Sequence, residues 1–246
     1  MGASNSAAMQ KIDKERLIVA LDVESAAEAR EIIAKIGDEV GAFKIGLQLF
    51  TSEGTDLVRE VVESGRRVFL DVKFHDIPNT VAKASIEVTR LGVWMFNVHT
   101  LGGREMMQGT VAEVTEFCER QGIERPKMIG VTVLTSADQD SLGEVGIRED
   151  VDTQVLNLAR LAAECGLDGV VASPREAAAI RSAIDDPGFL IVTPGVRPVF
   201  ATNDDQKRVM TPGEAVSAGA DYLVVGRPIT KADNMADAVR KLLGES

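Results

Sequence analysis

The chain has 246 residues, 45% hydrophobic and 26% charged, a balance that fits a globular protein and excludes a disordered or fibrous one. Lys and Arg number 27 against 38 Asp and Glu, a net charge of −11, and no basic run exceeds Arg66–Arg67, which argues against nucleic-acid or anionic-membrane partners. The length suits one large domain, and no apolar stretch approaches the roughly 20 residues that span a bilayer.

The opening MGASNSAAMQ lacks the basic and apolar regions of a secretory signal, and residues 1–15 read as a flexible or non-native lead to a catalytic domain over 16–246. From Arg16 onward, β-branched runs alternate with stretches of helical period. The strands are expected at Leu17–Leu21, Ala42–Ile45, Val68–Val72, Trp94–Val98, Met128–Leu134, Gly169–Ala172, Phe189–Val192 and Tyr222–Val225. The helices are expected at Ser25–Ile36, Thr55–Ser64, Thr80–Leu91, Arg104–Gln121, Thr153–Cys165, Pro174–Ile184, Pro212–Ala218 and Met235–Leu243. Ser25, Ser173 and Thr211 stand where N-caps belong, with Pro174 and Pro212 behind two of them. Eight β and eight α elements in strict alternation predict a single-domain α/β protein, a (β/α)8 TIM barrel. A doubly wound open sheet is the alternative, and it would more usually have fewer strands.

Barrel chemistry sits at the C-terminal ends of the strands. Here those ends carry Asp22, Lys44, Asp71 and Lys73, Asn97 and His99, Thr135 and Ser136, Thr193–Pro194–Gly195, and Gly226–Arg227. Asp71 and Lys73 are two apart on a strand and so share a face. Each charge alone could be a solvated surface group. Converging on one rim with Asp22 and Lys44, they read as a charged pocket of alternating sign. Two long segments without regular period, roughly 136–150 and 196–210, read as functional loops, the second polar enough to close over a charged ligand.

His75 and His99 lack the companions of a hydrolase or a zinc site and read as structural or supporting residues. Cys118 and Cys165 lie in helical stretches without metal spacing, so they read as small core residues of a cytoplasmic protein. Gly226–Arg227 follows the eighth strand, where many barrels bind phosphate, and Arg197 follows the seventh.

The stretches Leu21-Asp22, Phe43-Lys44-Ile45-Gly46, Asp71-Val72-Lys73-Phe74-His75-Asp76-Ile77-Pro78-Asn79-Thr80, Val131-Thr132-Val133-Leu134-Thr135-Ser136, Thr193-Pro194-Gly195-Val196-Arg197-Pro198 and Val225-Gly226-Arg227-Pro228 resemble the bacterial orotidine 5′-phosphate decarboxylase family, in order from Arg16 to Leu243. The resemblance implies decarboxylation of orotidine 5′-monophosphate to uridine 5′-monophosphate, the last step of UMP biosynthesis, without cofactor or metal. It implies Lys73 as proton donor to C6, Asp71 against the departing carboxylate, and Lys44 and Asp76 completing a Lys-Asp-Lys-Asp array. Asp22 with Lys44 would hold ribose hydroxyls, and Thr135 and Ser136 would meet the pyrimidine. Arg197, Gln206, Gly226 and Arg227 would take the phosphate. It further implies a homodimer in which Asp76 and Thr80 come from the neighbouring subunit, with Ile77 beside them at the substrate.

Two other readings compete. Sugar-phosphate enzymes such as 3-keto-L-gulonate 6-phosphate decarboxylase and hexulose-phosphate synthase share a DxKxxD strand but use Mg2+ with a carboxylate at the end of strand two, where this chain has Lys44. A catalytically silent phosphate-binding barrel would keep Gly226–Arg227 and break the charged array, which here is intact.

Overall fold

The computed structural model describes residues 11–197 and 210–244. In chain order the elements are β1 (Leu17–Ala20), α1 (Ala26–Ile36), β2 (Ala42–Gly46), α2 (Leu47–Glu63), β3 (Val68–Phe74), α3 (Pro78–Arg90), β4 (Met95–His99), α4 (Gly103–Gln121) and β5 (Lys127–Val131). There follow α5 (Gln139–Glu144), α6 (Val151–Glu164), β6 (Gly169–Val171), α7 (Ala177–Ala183), β7 (Leu190–Pro194), α8 (Pro212–Ser217), β8 (Tyr222–Val225), α9 (Arg227–Thr230) and α10 (Met235–Leu243). All strand pairs are parallel and β1 closes on β8, giving the expected eight-stranded barrel as one domain.

The strands are buried on both faces, so they read as continuous apolar runs rather than alternating ones. One parity points into the barrel, where Ile18, Ala20, Ala42, Phe69, Met95, Ile129, Val192 and Val224 pack together. The other parity, with Leu17, Val19, Phe43, Leu70 and Phe96 among it, packs against the helices in the larger core. Two residues beyond Ala20, Ala42, Phe69 and Met95 stand Asp22, Lys44, Asp71 and Asn97. Period-two geometry thus carries the inward face of the apolar plug up to the polar rim. At the opposite end, Trp94 meets Tyr222 edge-on with ring centroids 5.1 Å apart, and Arg67 lies over the Trp94 ring.

Helix starts follow the predicted capping chemistry in part. Ser25 accepts from the Glu28 N–H, and Thr211 and Glu214 form a reciprocal capping box with Pro212 in the first turn. Ser173 and Pro174 do not start a helix. They open a turn closed by Glu176 N–H to Ser173 O at 3.0 Å, and α7 begins at Ala177. The Glu176 carboxylate bonds back to the Ser173 N–H, so the capping chemistry serves the turn instead. The second helix starts at Leu47 rather than Thr55, bending at Gly54, where φ is 69°. The fifth strand ends at Val131, so Thr135 and Ser136 lie in the loop beyond it. That loop is not wholly irregular, since α5 forms there under an Asp138 cap.

Of the lead expected over 1–15, residues 1–10 lie outside the described residues. At Ile12, buried, the backbone N–H bonds Leu243 O at 2.9 Å. Cys118 and Cys165 are free and buried. No helix among the described residues is long and apolar enough to cross a membrane.

Candidate active site

The rim of strands β1 to β4 holds a chain of opposite charges. Lys44 Nζ donates to Asp22 Oδ1 at 3.0 Å and lies 3.3 Å from Asp71 Oδ2; Lys73 Nζ donates to Asp71 Oδ1 at 2.6 Å. Burial is graded along it. The Lys44 and Asp71 side chains are 10% and 14% exposed, whereas Lys73 is 36% and Asp22 58% exposed, so the inner pair is fixed and the outer two groups face the opening. Burial opposes ionisation of Asp71, but Lys44, Lys73 and the hydrogen bonds from Lys73 and Asn97 outweigh it and hold the carboxyl below its ordinary range.

Lys73 does not continue a regular strand. Its φ is 54°, and it is the one non-glycine with positive φ among the described residues. A side chain there costs of order 1–3 kcal/mol and persists only where its surroundings hold it. Between the pairs Leu70–Phe96 and Phe74–Val98 the register of β3 against β4 shifts, a bulge that places Asp71, Val72 and Lys73 opposite Asn97 alone. The left-handed turn at Lys73 brings its ammonium to Asp71. The two residues do meet, as expected, but through the bulge and not through simple alternation.

Two glycines make room. A Cβ at Gly46 would stand 2.9 Å from Lys44 Nζ, and one at Gly226 would stand 3.4 Å from Asp22 Oδ2. Beside the array, His75 and His99 stack with centroids 5.4 Å apart at 25°. Burial, His75 and Lys73 together push the His99 pKa down, and its buried Nδ1 has no hydrogen-bond partner among the described residues.

The other predicted site residues that the structure describes lie in the segments beyond the C-terminal ends of the strands and do not join this array. Asp76 is exposed and, among the described residues, accepts only from the Ile77 N–H; Ile77 and Thr80 are exposed too. Thr135 and Ser136 are exposed in the β5–α5 loop. Arg227, exposed, opens α9 behind Gly226. The half-buried Arg197 bonds Met210 O through its backbone N–H at 3.2 Å, drawing together the two ends of the intervening segment. Gln206 lies outside the described residues. In the sequence Asn97 is only a polar strand end, whereas in the structure it bonds Asp71 and the Lys73 N–H; its inward parity with Met95 is the one signal of this that the sequence carries. In the sequence Gly46 is only the last residue of the Phe43–Gly46 motif, with nothing local to mark the room it leaves for Lys44.

The family model described as "Orotidine 5'-phosphate decarboxylase / HUMPS family" matches residues 15–242. The chain belongs to that family. It is 53% identical over 232 residues to the orotidine 5′-phosphate decarboxylase of Syntrophotalea carbinolica, covering 94% of this chain and 95% of that protein. It is likewise 53% identical to the enzyme of that name from Geobacter sulfurreducens, covering 94% and 96%. The crystal structure of orotidine 5′-phosphate decarboxylase from Lactobacillus acidophilus superposes with a TM-score of 0.82 at 36% identity, covering 94% of this chain and 97% of that one. In this chain a lysine, Lys44, stands between the Asp22 and Asp71 carboxylates. No three His, Cys, Asp or Glu side chains of the described residues gather as a metal-binding group.

Proposed function

We propose that this protein is a carboxy-lyase that converts orotidine 5′-monophosphate to uridine 5′-monophosphate and CO2. The observation that carries the reading is Asp71 held between Lys44 and Lys73, with Lys73 at the open side. When the bond from C6 to the carboxylate breaks, CO2 leaves and the electron pair stays on C6, in the plane of a ring with no adjacent carbonyl to delocalise it. A fixed cation at that carbon stabilises the developing charge without reorganising, which is where electrostatic catalysis is strongest. Lys73 is that cation and then the proton donor to C6; solvent restores its proton. Asp71 faces the departing carboxylate and fixes Lys73.

Asp22 and Lys44 take the ribose hydroxyls, Thr135 and Ser136 the pyrimidine, and Arg197, Gln206, Gly226 and Arg227 the phosphate. Phosphate contacts far from C6 supply binding energy for ordering the site around the base. Asp76, Ile77 and Thr80, exposed beside the opening, suit a second copy that completes the pocket in a homodimer. We place the enzyme in the cytoplasm and its catalytic domain at 16–246.

A Mg2+-dependent sugar-phosphate reaction is the second reading. Lys44 argues against it, because a buried ammonium, paired with Asp22 and Asp71, stands at the strand-two position where that reading needs a carboxylate for the ion. Following the absorbance of orotidine 5′-monophosphate in a plain buffer with a chelator tests the proposal: steady loss supports it, and no loss at micromolar enzyme overturns it.

A further inference from the structure

Asn97 is fully buried at the one β4 position that faces the three-residue bulge of β3. Its Oδ1 accepts from the Lys73 backbone N–H at 2.8 Å, and its Nδ2 donates to Asp71 Oδ1 at 2.7 Å. The amide orientation is dictated by its neighbours, since an N–H can only donate and an ionised carboxylate can only accept. Asp71 Oδ1 thereby receives two donors, Asn97 Nδ2 and Lys73 Nζ, while Oδ2 faces Lys44.

We propose that Asn97 is a positioning residue for the reaction: its amide replaces the ladder contact that the bulge removes, holds Lys73 in its left-handed backbone conformation, and sets the direction of the Asp71 carboxylate. This rests on the function proposed above. A bulge leaves a backbone donor unpaired, and a buried unpaired donor is unfavourable. Asn97 satisfies that donor with the same group whose other end grips the acidic partner of Lys73. The backbone that presents the ammonium and the carboxylate that orients it are therefore coupled through one side chain. Of the twenty side chains, only asparagine has the required donor and acceptor at this reach; aspartate has it only when protonated.

The test compares wild type, Asn97→Ala and Asn97→Asp for kcat and KM with orotidine 5′-monophosphate between pH 5 and 9. Binding of uridine 5′-monophosphate and the thermal midpoint are measured alongside. Asn97→Ala is expected to lose on the order of a hundredfold in kcat, the scale of a small misplacement of reacting groups, with KM and nucleotide affinity within about fivefold. In Asn97→Asp, two carboxylates compete for the same space, so their shared proton is held more tightly. The protonated pair restores donor and acceptor, and kcat is expected to rise relative to wild type as pH falls. The other groups around it, Lys44, Lys73, Asp22, His75 and His99, are common to both proteins. Asn97→Ala within threefold of wild-type kcat, or an Asn97→Asp profile parallel to wild type, overturns the proposal, and the second result decides even if the alanine variant does not fold. An inactive wild type would overturn the proposed function and this inference together; an active wild type with unaffected variants overturns this inference alone.

Discussion

Lys73 reaches Asp71 from a left-handed backbone, with φ at 54° and Nζ 2.6 Å from Oδ1. The strained residue is also the one whose ammonium stands at the open side of the array. Strain kept at such a position is held by its neighbours and implies that the geometry is used.

Replacing Lys73 with alanine is therefore expected to remove decarboxylation and to leave uridine 5′-monophosphate binding measurable, because the proposed phosphate contacts are elsewhere. Turnover above about a tenth of wild type would mean that less than roughly 1.4 kcal/mol of the barrier depends on this side chain, and the proton-donor role would be wrong.

Gly46→Ala is expected to separate stability from activity. The backbone there has φ of −90°, which alanine adopts freely, but the new Cβ would stand 2.9 Å from Lys44 Nζ. The ammonium must move while the fold is kept. About tenfold lower kcat with a thermal midpoint within about 2 °C is the expected pair of results, and unchanged kcat would show that the exact position of Lys44 is unimportant.

The pH dependence of stability follows from Asp71. Its folded-state pKa is lowered, burial being outweighed by Lys44, Lys73 and Asn97, so its contribution is fully present above the unfolded carboxylate range and is lost as pH falls through the folded value. The difference in thermal midpoint between wild type and Asp71→Asn should stay constant from pH 8 to about 5 and drift only below about 4. A drift beginning near pH 7 would contradict a lowered pKa.

Arg227 is exposed and makes no side-chain ion pair with the described residues, so it is free for a ligand's phosphate. Arg227→Ala should weaken kcat/KM for the nucleotide by about 2–4 kcal/mol and scarcely affect the nucleoside. Equal losses for both would mean that Arg227 acts through folding.

Among the described residues Asp76 accepts only its neighbour's N–H, and it stays outside the charged array of its own chain. If a partner subunit receives it, mixing Lys73→Ala and Asp76→Ala proteins and letting subunits exchange should restore about a quarter of all pockets, since each mixed dimer has one intact and one doubly defective site. Verified exchange without recovery would place Lys73 and Asp76 in the same site of one chain.

The alternation of β-branched runs and amphipathic stretches determined eight βα units, because both periodicities are local and each strand is bounded by its own turn residues, whereas the pairing of β1 with β8 decided the barrel over a doubly wound open sheet. The charged rim was legible for the same reason: Asp22, Lys44 and Asp71 each stand two residues beyond an inward-facing apolar residue, whereas the place of Lys73 depends on the bulge. Local pattern misled where a cap-like residue served another purpose, as Ser173 does in its turn before α7. The relation of Asn97 to Lys73 could not be read from either segment alone. It depends on the β3–β4 register, and a bulge alters that register without changing the apolar pattern of either strand. Asp71 has its lowered pKa because Lys44 of β2, Lys73 of β3 and Asn97 of β4 converge on it, and that convergence exists only once parallel strands are paired and the barrel is closed.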